Sequence, residues 1–456
     1  MEQGFKKVYF MGIGGSSMCS LAEIMKNRGF SVCGSDMQQS HTTDRLLSLG
    51  IPVHIGHSPK NVTAEMPDII VKTDAVAETN PEVVEAKRLG IPVYRRAELL
   101  GDILDGYKTT IGVAGTNGKT TTTSMITSIL LSAKKDPSAI IGGQMKLLNS
   151  GYRIGSEDVC AFESCEFRDS FLYFKSDISV VLNISEDHME YFKTLENLIA
   201  SFKKYLKNIK PGGTLVYNCE DENSLVMLDG YDGKRVSFGI NSGDFHAADI
   251  SCEHGLYAFD LIAFGKKACR VSLSVPGYHN IFNALASAAA CHTYGVGFDR
   301  ICEGLKNYNG TGRRFEYHCT VNGAVIADDY GHHPDAYKVT FRTARELGFK
   351  RIIAIHQPHT FSRTKMLMDD FVEILSTVDH VLVAPIYAAR ETNDEYNVYA
   401  EDVVARLPNA EYVPTFEAIA DRVKALAQPG DLFITLGCGD IYKAAELITR
   451  KYGTEI

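Results

Sequence analysis

Thr110-Ile111-Gly112-Val113-Ala114 runs directly into Gly115-Thr116-Asn117-Gly118-Lys119-Thr120-Thr121, and this stretch decides how the chain is read. The first five residues are apolar or small enough for a buried strand. The helix that follows turns Met125, Ile126, Ile129 and Leu130 inward. A glycine-rich turn between such a strand and helix lets backbone N–H groups converge on phosphate oxygens, and the helix start adds about half a positive charge. In that arrangement Lys119 reaches the terminal phosphates and the Thr120 hydroxyl ligates Mg²⁺. The strict phosphate-loop pattern places a glycine five residues before Gly118, where Val113 stands, so the motif is the variant Gly-x-x-Gly-Lys-Thr-Thr. A tight strand–helix turn with an incidental lysine uses the same residues, but the flanking elements favour phosphate binding.

Outward from this loop, 456 residues imply about three domains. Composition is that of a soluble globular chain, with 45% hydrophobic and 23% charged residues and no Trp, which excludes disordered, collagen-like and coiled-coil classes. No apolar run reaches the ~18 residues of a membrane span, and Val8–Met11 is too short for the apolar region of a signal peptide. The eleven cysteines are scattered without a Cys-x-x-Cys pair, so reduced thiols and a cytoplasmic location are expected. A net charge of −9 with no long basic run argues against nucleic acid as a partner.

The fold class expected is α/β in three domains. Residues 1–106 read as a Rossmann-like, doubly wound domain, with strands at Val8–Met11 and Ser31–Asp36 and Met18, Leu21, Ala22 and Met25 on one helix face. Leu49-Gly50-Ile51-Pro52-Val53 recurs as Leu89-Gly90-Ile91-Pro92-Val93, each copy closing a helix and opening a strand. Residues 107–315 read as a P-loop-type ATPase domain with further strands at Val159–Phe162 and Ile178–Asn183, and with 213–275 as an antiparallel excursion. Residues 316–456 return to strand–helix alternation as a dinucleotide-fold-like domain, with strands at Val325–Ala327, Arg351–Ile355, Val381–Ala384 and Leu432–Leu436.

Two carboxyl-edge residues, Glu163 and His188, are placed to complete a magnesium shell with Thr120, although spacing alone fits a solvated or core-satisfied role equally well. A second glycine turn, Gly12-Ile13-Gly14-Gly15-Ser16-Ser17-Met18, is a degenerate dinucleotide fingerprint with Ser17 at its third glycine position. Asp36 stands where a ribose-binding acid is expected. This turn suits a diphosphate-containing nucleotide at least as well as NAD, and a structural turn remains open.

Taken together, the residues resemble the Mur ligase family, ATP-dependent amide ligases that build the peptide stem of bacterial cell-wall precursors. The resemblance rests on Gly12–Met18, Gly115–Thr121, Asn183–His188, Pro276–Asn283, Gly312–Glu316, Asp328–Pro334 and Gln357–Thr364. The last three look most like the member that adds L-alanine. It implies that Lys119 and Thr120 hold the β/γ-phosphates and Mg²⁺, with Gly115, Thr116, Asn117, Gly118 and Thr121 completing the ATP loop and Glu163 and His188 the metal shell. It places His279, Asn280 and Asn283 on the adenine side of ATP, has Arg314 bridge toward the nucleotide, and puts Asp329 on the ribose. Tyr330, His332, His359 and Arg363 frame L-alanine, with Arg363 on its carboxylate. The same resemblance implies that the diphosphate of UDP-N-acetylmuramate lies over Gly14, Gly15, Ser16 and Ser17. The catalytic set is then Lys119, Glu163, His188 and Arg314.

The chain departs from the family at Asn117, where His is usual, at Lys72-Thr73, where two serines are usual, at Thr360, often Arg, and at Ser16-Ser17. These changes touch the UDP-sugar and amino-acid pockets and leave the phosphate chemistry alone. Two other readings stay open: a ligase that reattaches a preformed peptide to the same UDP-sugar, and a nucleotide-dependent switch that performs no ligation.

Overall fold

Strand β1 (Lys7–Met11) ends in the glycine turn that opens the helix Ser16–Asn27. It is the middle strand of an all-parallel sheet with β2 (Ser31–Asp36), β3 (Val53–Ile55), β4 (Ile69–Lys72) and β5 (Val93–Arg95), in the order β3-β2-β1-β4-β5. The chain leaves β1 toward β2 on one side and β4 on the other, so the order reverses beside Gly12–Gly15, where such sheets bind ligands. The computed structural model describes residues 4–73, 75–389 and 391–455, without the side chains of Ser16 and Glu190. Met18, Leu21, Ala22 and Met25 are all buried, so the helical period falls on the expected face.

The internal echo has a common structural cause. Gly50 and Gly90 both take φ +71°, the left-handed conformation that ends a helix without a Cβ clash. Ile51 N–H returns to Leu46 O and Ile91 N–H to Ala86 O, closing the two helix ends alike. Each following proline offers its carbonyl to the neighbouring strand: Gly34 N–H donates to Pro52 O at 3.0 Å and Ile70 N–H to Pro92 O at 2.9 Å.

The second sheet contains β6 (Thr109–Ala114), β7 (Ser138–Met145), β8 (Ser150–Arg153), β9 (Val159–Glu163), β10 (Ser176–Val181), β11 (Ile209–Asn218), β12 (Lys234–Phe238), β13 (Phe245–Glu253), β14 (Leu256–Ala263) and β15 (Lys266–Pro276). Their order is β15-β14-β13-β12-β11-β10-β6-β9-β7-β8. Strands β12, β11, β10, β6, β9 and β7 pair in parallel, and β8 is antiparallel to β7. The expected antiparallel excursion therefore begins later than residue 213. β11 and β12 extend the parallel sheet and β13 still pairs in parallel with β12, so the chain reverses only at the tight turns 254–255 and 264–265 that lead into β14 and β15. The strand expected at Ile178–Asn183 lies two residues earlier, at Ser176–Val181, and Asn183 turns toward the glycine loop.

A third sheet is formed by β16 (Glu316–Val321), β17 (Ala324–Asp329), β18 (Arg351–His356), β19 (His380–Val383), β20 (Ala410–Tyr412) and β21 (Asp431–Leu436), ordered β16-β17-β21-β18-β19-β20. All but β16 run parallel, and buried apolar clusters cover both faces.

The chain divides into two compact units, residues 1–248, 261–269 and 282–305, and residues 249–260, 270–281 and 306–456. Among the described residues no helix is long and apolar enough to cross a membrane. One expectation is corrected: Cys269 and Cys302, 33 residues apart, are joined as a disulfide, and among the described residues the other nine cysteines form none. The packing of β15 near the helix Phe298–Asn307 brings them together, and no local spacing signals it.

Candidate active site

In the first unit, the loop after β6 lies between the carboxyl ends of β10 and β9, because β6 sits between those strands. Its glycines are required by geometry. Gly115 has φ +133°, and an added Cβ would lie 3.0 Å from Leu182 Cβ. Gly118 has φ +90°, and a Cβ there would lie 2.5 Å from Asn283 Oδ1. Asn283 Oδ1 in turn accepts the Thr122 hydroxyl at 3.2 Å. Gly118→Ala is expected to destabilise by about 2 kcal/mol from strain at this φ and to weaken ADP binding by roughly tenfold; calorimetric titration with ADP checks the second effect.

The segment after β10 clasps this loop. Thr116 N–H donates to Asn183 O at 3.0 Å and Asn117 N–H to Asn183 Oδ1 at 2.9 Å, while Asn183 Nδ2 donates to Asn117 O at 3.1 Å. The Thr116 hydroxyl donates to Ser185 O at 3.0 Å and accepts Ser185 N–H at 2.9 Å. The amides of Thr116 and Asn117 are thus spent on Asn183 and hold the loop's shape. The first-turn amides of the helix Lys119–Ser132 have no carbonyl four residues back to bond, and Gly118 caps that helix without a side-chain hydrogen bond.

Lys119 Nζ folds over the loop, donating to Gly115 O at 2.5 Å and Thr116 O at 3.1 Å, and pairs with Glu166 Oε1 at 2.9 Å. Burial opposes its charge, but Glu166 outweighs that, with Cys165 and Glu163 adding, and the ammonium pKa is raised. Glu166 is 1% exposed, and its Oε2 is buried without a hydrogen-bond partner. Ligand atoms of Glu166, Asp187 and His188 all lie within 4.8 Å of one another. This cluster takes in His188 of the expected metal shell, together with two carboxylates, Glu166 and Asp187, that were not expected there. Glu163 ends β9 and accepts the Gly142 N–H at 2.7 Å, outside this cluster. Sequence reading singled out neither of the other two acids: Asp187 adjoins His188 in the Asn183–His188 motif, and Glu166 is the first acid after β9. Thr120 is buried, and Thr121 half-buried, in the first helical turn.

Also in the first unit, the turn after β1 is fixed by β2. Gly12 N–H and Ile13 N–H both donate to Ser35 O, at 2.8 and 3.0 Å, and Gly14 N–H donates to Asp36 Oδ2 at 2.8 Å. A Cβ on Gly14 would lie 2.9 Å from that carboxylate oxygen. Asp36 thus shapes the turn from the position expected of a ribose ligand. Gly15 and Ser17 are exposed at the helix start, which no side chain caps; the Ser16 side chain lies outside the described set.

In the second unit, His279 is exposed, and Asn280 is buried with Nδ2 donating to Pro276 O at 2.7 Å. This bond ties the first turn of the helix His279–Thr293 back to the end of β15. Asp329 ends β17, where Oδ1 accepts Gly331 N–H and Oδ2 accepts Phe315 N–H, each at 2.8 Å. Burial raises its pKa, with Arg314 and those two donors opposing; each oxygen keeps a second lone pair. Arg314 lies over the Tyr330 ring at 5.2 Å. Arg313 is a structural residue, with Nε on the fully buried Asp328 at 2.8 Å and further donors on Gly437 O and Gly439 O.

The residues expected to frame an amino acid meet in this unit. The Tyr330 and His332 rings stand 5.7 Å apart, His332 and His359 6.1 Å, and Arg363 Nη1 lies 3.4 Å from His359 Nδ1. Burial and the Arg363 charge lower the His359 pKa to about 4, so the ring is neutral at pH 7. Tyr387, which sequence reading missed, stacks on His359 with centroids 5.6 Å apart and planes 10° apart.

Family models match the three regions in turn: "Mur ligase family, catalytic domain" over residues 7–108, "Mur ligase middle domain" over 113–291 and "Mur ligase, glutamate ligase domain" over 313–439. A UDP-N-acetylmuramate–L-alanine ligase of Acetivibrio thermocellus is 42% identical over 452 residues, covering 98% of this chain and 96% of its own. A protein of the same name from Caldicellulosiruptor saccharolyticus is 42% identical over 451 residues, covering 98% of both chains. The solved UDP-N-acetylmuramate–alanine ligase of Thermotoga maritima aligns with a TM-score of 0.83 at 28% identity, over 98% of this chain and 99% of its own. The MurF ligase of Thermotoga maritima in complex with ADP shares the fold, with a TM-score of 0.63 at 18% identity over 99% and 96% of the chains. Matched from residue 7 to residue 439, and similar along almost all its length to ligases of one kind, the chain belongs to the Mur ligase family.

Proposed function

We propose that this chain uses ATP to join L-alanine to the carboxylate of UDP-N-acetylmuramate, a step of peptidoglycan precursor synthesis in the cytoplasm. The observation that carries it is the meeting of Tyr330, His332, His359 and Arg363 in a chain 42% identical to alanine-adding ligases along 98% of its length. Residues 1–106 take the UDP-sugar, 107–315 ATP and 316–456 the amino acid; nucleic acid has no part.

A carboxylate resists an amine because oxide is a poor leaving group. In the first step a carboxylate oxygen attacks the γ-phosphorus, and the bond from phosphorus to the ADP oxygen breaks. The alanine nitrogen then attacks the acyl carbon and loses a proton, and inorganic phosphate departs with the attacking oxygen. Lys119 balances the charge as two anions approach, and the first-turn amides after Gly118 hold the phosphates. Arg314 extends this neutralisation, and Asn280, Asn283 and His279 face the base while Asp329 takes the ribose. Arg363 offers a planar fork to the alanine carboxylate.

The donor set fits a divalent cation. An orphaned, buried carboxylate oxygen of Glu166 beside Asp187 and His188 is what Mg²⁺ would satisfy, with Thr120 and Glu163 nearby in sequence to the loop and cluster. Bound there, Mg²⁺ would neutralise phosphate charge.

Phosphate release with ATP, Mg²⁺ and UDP-N-acetylmuramate tests this reading, with L-alanine, L-serine, glycine or a tripeptide added in turn. Release that requires both the sugar and L-alanine is expected. Release without the sugar, or with the tripeptide in place of L-alanine, contradicts it.

A further inference from the structure

Arg363 and His359 belong to a turn that cannot hold itself in place. The helix Phe361–Met366 has six residues, and its cap residue Thr360 makes no side-chain capping bond. Isolated helices this short have no stability of their own. A fork that must meet a small carboxylate in one geometry needs its support fixed to within about 0.5 Å.

The support comes from Glu391, 31 residues beyond Thr360. The Thr360 hydroxyl donates to Glu391 Oε1 at 2.9 Å, Ser362 N–H donates to Oε2 at 2.8 Å, and the Ser362 hydroxyl also donates to Oε1. One carboxylate thus takes three donors from Thr360 and Ser362, two of the three residues between His359 and Arg363. The same segment grips the turn a second time: Tyr387 N–H donates to Pro358 O at 2.8 Å, and its ring stacks on His359. Thr360, where the family often has Arg, supplies one of the three donors.

We propose that Glu391 is a positioning residue for the amino-acid substrate, setting the affinity for L-alanine by holding the turn that carries His359 and Arg363. It acts through Thr360 and Ser362 and touches no reacting atom. The burial that opposes its charge is outweighed by the Ser362 and Thr360 donors, so the carboxyl stays below its usual range and accepts all three bonds as an anion. Glutamine at this position keeps the shape but presents an NH₂ group to a donor, so at least one bond is lost.

The inference rests on the ligase reading above, and steady-state kinetics of the full chain separate the two. Wild type without L-alanine-dependent phosphate release would defeat the ligase reading itself. With wild type active, Glu391→Gln is expected to raise KM for L-alanine by roughly tenfold, the scale of a lost charge-assisted bond, while KM for ATP and UDP-N-acetylmuramate stays within about twofold. Ser362→Ala is expected to raise the same KM by less, and the double variant by less than the product of the two, since both cut one network. An unchanged KM for L-alanine overturns the proposal. So does a parallel rise of all three KM values with a fall in Tm, the signature of a merely structural group.

Discussion

Lys119→Ala loses turnover by at least roughly a thousandfold, the scale seen when one charge-stabilising group is removed from phosphoryl or acyl transfer. It also loses stability. Sequence reading alone expects this variant to leave the fold intact, because a phosphate-loop lysine normally faces solvent and ligand. Here the ammonium is paired at 2.9 Å with Glu166, whose side chain is 1% exposed. Removing one partner of a buried pair strands the other charge, at a cost of about 3 kcal/mol. Lys119→Ala/Glu166→Gln is therefore expected to recover most of the lost stability and none of the activity. Denaturant unfolding of both variants, set beside phosphate release, checks the two effects separately. An active Lys119→Ala, or a double variant no more stable than the single, contradicts the account.

The largest expected effect on stability lies elsewhere, at Glu82. This carboxylate is fully buried beneath the first sheet and accepts Tyr9 OH at 2.9 Å, Asn61 Nδ2 at 2.7 Å and Ser58 N–H at 3.3 Å on Oε1. Oε2 takes the Ser35 hydroxyl at 2.6 Å and His57 Nδ1 at 2.9 Å. Glu82→Ala leaves these donors without their acceptor, for a loss of about 4 kcal/mol. Glu82→Gln is milder, because the amide oxygen serves the three donors of one side while Ser35 and a neutral His57 can turn to accept on the other. Ser35 O also receives the Gly12 and Ile13 amides, so loosening of the UDP-sugar turn accompanies the loss.

The same pair predicts a pH window. Burial pushes the Glu82 pKa up, but His57, Ser35, Asn61 and Tyr9 outweigh it and the pKa is lowered from 4.5; that stability is present above 4.5 and lost as pH falls through the folded value. The hydrogen bond to Glu82 raises His57 from 6.5 against the effect of burial; that stability is complete below 6.5 and lost as pH rises through the folded value. The contribution is greatest between those two limits. Unfolding midpoints across pH are expected to show a decline on the alkaline side that Glu82→Gln removes; an identical decline in that variant contradicts the assignment.

The elements built on local period were legible. Met125, Ile126, Ile129 and Leu130 are fully buried, as their spacing required, and the repeated Leu-Gly-Ile-Pro-Val segments end helices the same way. The strand–turn–helix around Lys119 needs only nearest-neighbour chemistry, so sequence sufficed. What failed was non-local. Asn183 clasps Thr116 and Asn117 across 66 residues, and nothing in either segment states which amides are left for phosphate. No motif singles out Glu166, and only the fold places it on Lys119. Tyr387 and Glu391 come from a loop whose register is set by β18 and β19, so their roles exist only once the third sheet is assembled. The Cys269–Cys302 pair has the same origin.

In the proposed reaction this glycine loop and its lysine make the γ-phosphoryl of ATP transferable to an organic acid. The most direct measurement uses UDP-N-acetylmuramate with a heavy oxygen isotope in both carboxylate positions, turned over with ATP and L-alanine. The account predicts that each inorganic phosphate released carries one heavy oxygen, and that the new amide keeps the other. Phosphate free of the label would contradict it.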